Sequence, residues 1–223
     1  MILYKILFST LCIVSINCFV SGQANTQNEN VSEQLKAINT QLDKRVELIK
    51  SCMNIFSTPI DMTSGDEQKI SEAYNEQKKA LMALGELRAV EAAPLLAKMI
   101  FYRIPGDESP NIAFVNRMFG CVPTLVKIGK PGAVECLKRI VNFTEEDWQN
   151  EMDPTLLVLV ILRVEGERTT RQIFDDFKTS LKNEHQIKNM EKAIILIDAA
   201  RDLDGVVQDA YSKLKQELIK AEK

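Results

Sequence analysis

Few residues of this chain could carry chemistry, and their spacing excludes more than it offers. The only histidine, His185, stands in a polar connector and is expected at the surface. That leaves histidine-based zinc sites, Ser-His catalysis and Cys-His catalysis without material. There is no Walker loop, no G-x-G-x-x-G and no G-x-S-x-G. Asp202-Leu-Asp204-Gly205 is similar to the middle of a calcium loop, but the first ligand would be Ala200 and the twelfth Tyr211. It reads as a turn between helices. No catalytic residue, cofactor or metal ion is expected.

The cysteines number five: Cys12, Cys18, Cys52, Cys121 and Cys136. None forms a C-x-x-C pair or a zinc pattern. Cys121 lies eight residues before Gly129 and Cys136 seven after it, so antiparallel helices would set them at similar height. A disulfide between them requires both side chains to point into the seam, because helix axes lie about 8–10 Å apart and bridged Cα atoms within roughly 7 Å. Buried free thiols are the other arrangement. The most acidic stretch, Thr144 to Asp147, precedes the only tryptophan, Trp148. Thr144 and Asp147 can form a capping box, with carboxylates at the positive end of a short helix. Phe143, Glu145, Glu146, Asp147 and Trp148 can instead form a contact loop, since aromatic side chains are favoured at binding centres. Both readings are open at this point.

The elements that position these residues are helices. Met1–Lys5 carries one positive charge, Ile6–Val20 is an apolar run, and Val20-Ser21-Gly22 supplies small residues. Residues 1–22 therefore read as a signal peptide. An uncleaved anchor and a lipid-modified cysteine are the rival readings. Cleavage removes Lys5 and leaves 27 basic against 31 acidic residues, a net of −4 that disfavours nucleic acid and anionic membranes as partners. Cleavage also leaves an odd number of cysteines, Cys52, Cys121 and Cys136.

Residues 23–30 are polar and read as a disordered leader. Val31, Leu35, Ile38, Leu42, Val46, Ile49, Met53 and Phe56 then recur at steps of three and four, which predicts an amphipathic helix over 31–57, capped by Ser32 and ended by Thr58-Pro59. Successive steps of four break a strict heptad, so this helix is expected to cap the repeats C-terminal to it rather than form a coiled coil.

An internal similarity marks the rest. Gly85-Glu-Leu-Arg-Ala-Val-Glu-Ala92 can be laid without a gap on Gly129-Lys-Pro-Gly-Ala-Val-Glu-Cys136, an offset of 44 residues. A period in this range is the mark of stacked helical hairpins. Gly85 and Gly129 are expected to end first helices in the left-handed conformation, and Pro131 to begin a second one. Pro123 is expected inside a helix, where it can bend it. A strongly apolar helix over 154–165 is expected between neighbours, with Gly166 ending it and a partner helix running to about Leu181. Ile187–Arg201 and Val206–Lys220 complete a last hairpin around Asp202–Gly205.

The stretches 80–100 and 125–137 resemble the HEAT repeat family, and most closely its bacterial subtype, also found in phycobilin lyases. The family's usual aspartate cap is replaced by Lys130, and Pro94 has no counterpart in the second copy. The resemblance implies an all-α, right-handed solenoid of about four hairpins over 66–223 with an N-terminal capping helix. It also implies a function common for such surfaces, a non-catalytic scaffold that binds a protein partner. A bilin-attaching lyase and a coiled-coil structural protein are the rivals. The chain is expected to be exported, to be monomeric and to have no stable membrane insertion. Asn30-Val-Ser32 and Asn142-Phe-Thr144 match the glycosylation pattern.

Overall fold

A computed structural model describes residues 24–102, 119–149 and 152–221 of the chain. The expected signal peptide, and the turn-rich connector Arg103–Pro110, lie outside the described residues. The protein is all-helical, with no strand among the described residues. It divides into two compact units, Met1–Val46 and Glu47–Lys223.

Helix α1 spans Ala24–Ser57. It begins within the expected leader, so residues 24–30 are helical and Ser32 is an interior residue rather than a cap. Once a turn is nucleated, each added polar residue extends the ladder at little cost, and Asn, Gln and Glu permit this. In the first unit Leu35, Ile38, Leu42 and Val46 are exposed. In the second unit Ile49, Cys52 and Phe56 are buried. Burial along the stripe thus begins at Ile49. Gln77, itself buried, holds this helix end: its Nε2 donates to the carbonyls of Ile55 (3.4 Å), Phe56 (3.4 Å) and Thr58 (2.7 Å). These include carbonyls that an α-helix leaves unpaired at its C-terminus. Tyr102 donates to Gln77 Oε1 and meets the Phe56 ring edge-on at 5.0 Å.

The helices of the two aligned segments come next. Helix α2 is Glu67–Glu86, capped by Asp66, whose carboxylate accepts from the Lys69 N–H at 3.1 Å. A 3-10 turn at Val90–Ala92 leads into α3, Ala93–Lys98. Helix α4 is Cys121–Ile128 and α5 is Lys130–Val141. Helix α2 packs on α4 and α3 packs on α5. Pro123 falls in the first turn of α4, where its missing N–H has no partner to lose, so the expected bend has no cause there.

The aligned glycines do different work. Gly129 has φ 84° and ψ −141° and ends α4. Gly85 lies inside α2, and the left-handed residue of that turn is Arg88, at φ 47°. Ala89 N–H donates to Leu84 O and Arg88 N–H to Gly85 O, both at 3.0 Å. This is a Schellman closure with arginine in the position glycine prefers. Gly85 is small for another reason: a Cβ there would lie 3.1 Å from Lys127 Cδ and 3.6 Å from Thr124 Cα, on α4.

Helix α6 is Glu145–Gln149, α7 is Met152–Glu165 and α8 is Glu167–Ser180. Leu156 through Ile161 are all buried, as the apolarity of this run predicts, and α7 packs against α4, α5, α8 and α9. The expected last hairpin is absent. Helix α9 runs unbroken from Glu184 to Ala221, through Gly205. A glycine inside a helix costs only about 1 kcal/mol relative to alanine. Arg163 on α7 pairs there with Asp204, its Nε and Nη2 both 2.8 Å from Oδ1.

Candidate functional site

The 142–149 connector begins where α5 ends. Asn142 closes α5 and is exposed. Phe143 then turns inward and is buried, at 1% exposure. Thr144 and Asp147 form the capping box: Asp147 Oδ2 accepts from the Thr144 N–H and hydroxyl, both at 2.8 Å, and the Asp147 N–H donates to Thr144 Oγ1 at 3.3 Å. These bonds hold the Asp147 carboxyl below its ordinary value. The Thr144 N–H has the largest effect, the Thr144 hydroxyl and the Arg139 guanidinium adding to it against partial desolvation.

Trp148 is half-buried and meets the Phe143 ring edge-on, with centroids 5.3 Å apart. Its indole N–H donates to Asn189 Oδ1 at 2.7 Å. Asn189, on α9, is buried at 1% exposure, and its Nδ2 donates to Val141 O at 3.0 Å and Phe143 O at 2.9 Å. One amide thus satisfies the frayed end of α5 and the indole together. His185 Nε2 adds a bond to Phe143 O at 2.6 Å, and since a carbonyl can only accept, this nitrogen carries the proton. Lys192 reaches Glu145 at 3.3 Å and lies 5.0 Å from the Trp148 ring centroid.

The connector is therefore fastened to α9, and of the two readings the capping box is the one formed. Phe143 has no surface to offer. Trp148 is committed to Phe143 and Asn189 and closes the gap between α5 and α9. Asp147 is engaged in its own capping box. Glu145 and Glu146 remain exposed, Glu145 beside Lys192. Sequence reasoning missed Asn189 and Lys192, and the contact made by His185, because they lie about forty residues away on a helix whose facing has no local signal. His185 is exposed, as expected.

Cys121 and Cys136 are free thiols, and so is Cys52. The bond considered between the first two is not formed, although both are fully buried on packed helices. Burial pushes both thiols well above their ordinary range, and the neighbouring Cys136 adds to the push on Cys121. Such thiols are poor nucleophiles and poor metal ligands. Among the described residues no His, Cys, Asp or Glu cluster could hold a metal ion. No helix of the described residues is long and apolar enough to cross a membrane.

Two concavities border these features. One, of about 410 Å³, lies beside Gln77 and is lined by Ile55, Pro59, Ile60, Lys69 and Ile70. The other, about 330 Å³, is bordered by Lys98, Lys138, Arg139 and Asp147. Neither gathers a nucleophile with a base.

The exposed half of the α1 stripe is the more prominent surface. Leu35 is 54% exposed, Leu42 51% and Val46 41%, on one face of a helix. Large aliphatic side chains repeated along one exposed face differ from singly scattered ones, which need no explanation. No family model, curated protein or solved structure matches this chain.

Proposed function

We propose that the chain is an exported, non-catalytic protein-binding module built from HEAT-like hairpins in a right-handed stack. The observation that carries this reading is the exposed stripe Leu35, Ile38, Leu42, Val46. A helix that lays i, i+3 and i+4 aliphatic residues on a partner is a recurrent mode of protein recognition. The pairing of α2 with α4 and of α3 with α5 supports the repeat reading, because such units bury their open faces by stacking. The scaffold beyond α1 supplies a well-packed body, and α1 supplies the contact.

The test is a photo-crosslinking residue in place of Ile38, in the full chain in its native host. A discrete protein adduct is expected, and the background variant Leu35→Glu/Leu42→Glu should abolish it while leaving the melting temperature unchanged. If the glutamates lower the melting temperature as a core substitution does, the stripe packs within the chain and the proposal fails.

A further inference from the structure

The stripe has a second property that narrows its partner. Val31, Leu35, Ile38 and Leu42 are separated by steps of four, three and four, and Leu42, Val46, Ile49 and Met53 repeat those steps. The period is eleven residues rather than seven. Eleven residues in three turns nearly matches a straight helix, and a seam of this period keeps facing a like helix without left-handed supercoiling. The exposed part of this pattern, Leu35 to Val46, fits a nearly straight pairing of like helices.

The flanks of the exposed segment speak to the occupant. At about 100° per residue, Asn39 and Asp43 border the stripe on one side and Gln34 and Arg45 on the other. Most of the border is uncharged, so nothing repels a second identical helix. The two charges are opposite and stand on opposite borders. In a parallel pair the Asp43 border of one helix faces the Arg45 border of the other. In an antiparallel pair each border faces itself and this match is lost. A bilayer surface fits less well, because the polar face mixes Glu33, Asp43 and Glu47 with Lys36 and Lys44 and has no cationic excess.

We infer that the α1 stripe takes a second copy of this chain, in parallel, and that the protein self-associates through the exposed segment from Leu35 to Val46. This rests on the reading of the stripe as a protein-binding surface and names the partner.

Sedimentation equilibrium of the full mature chain tests it. Wild type should rise from the monomer mass to an integral multiple with concentration. Leu35→Glu/Leu42→Glu should stay monomeric where wild type is assembled, and should match the wild-type melting temperature at dilutions where wild type is itself monomeric. Leu35→Cys should form a disulfide between copies under mild oxidation, because a parallel pair sets position 35 beside itself and an antiparallel pair does not. Wild type that stays monomeric at every concentration overturns the inference. If the Ile38 adduct with another protein persists in that case, the protein-binding reading survives alone. Binding of the monomer to phosphatidylcholine vesicles, lost in the glutamate variant, would also overturn it, in favour of a membrane surface. Assembly with no Leu35→Cys bond overturns the parallel arrangement.

Discussion

At the scale of single residues, buried amides do much of the joining. Gln77 donates to the end of α1 and accepts from Tyr102, whose hydroxyl pKa is pushed up to about 12, mainly by burial. Gln77→Ala leaves buried carbonyls without donors and should cost about 1–3 kcal/mol in urea unfolding. Asn189→Ala should cost a similar amount, because it leaves the indole N–H and Val141 O without their Asn189 partner while Phe143 O keeps only His185. Trp148→Ala should destabilise the protein by about 3 kcal/mol, near the low end for a large aromatic since the ring is only half-buried. A Trp148→Ala protein as stable as wild type would return the indole to the contact role. Asp147 gives a pH prediction. Its folded pKa lies below the unfolded value of 3.8, so its stabilising effect is full above that value and is lost as pH falls through the folded pKa. The stability gap between wild type and Asp147→Asn should be flat near neutral pH and shrink in acid below 3.8.

At the scale of elements, the two aligned segments close their turns differently. Arg88 sits left-handed at the end of α2, which costs a residue with a Cβ roughly 1 kcal/mol. Arg88→Gly should therefore raise stability by up to about 1 kcal/mol, read as a shift of the urea midpoint. The glycines separate in the opposite direction. A Cβ at Gly132 would lie 2.5 Å from the Leu125 carbonyl oxygen, on backbone that cannot yield, so Gly132→Ala should be clearly destabilising. At Gly85 the nearest atom is the flexible stem of Lys127, and Gly85→Ala should be tolerated. Apolar spacing made most helices legible: α2, α7 and α8 lie within a few residues of where the sequence puts them. The turns were less legible because a glycine signals permission for positive φ, not its use. Gly85 serves close helix approach and Gly205 serves nothing local, yet both read as helix ends. The same ambiguity hid α9, whose turn-like Asp202–Gly205 stretch is helical.

At the scale of the whole molecule, the candidate site was legible only in part. The stripe of α1 is plain in the sequence, but periodicity marks a face without saying what covers it, and only burial separates Leu35 and Leu42 from Ile49 and Phe56. Trp148 was equally plain and its use was not, because Asn189 and Phe143 are brought to it by tertiary packing. The buried thiols of α4 and α5 have a consequence for experiment. A thiol with almost no exposure and a pKa pushed upward cannot react with an alkylating reagent in place. Labelling of Cys121 and Cys136 has to wait for an opening of the structure, so its rate is the reagent's intrinsic rate scaled by the population of open molecules. These two side chains are thus a built-in clock for unfolding. They can be read by mass spectrometry in the native host without adding a probe, with Cys52 reporting separately on release of α1.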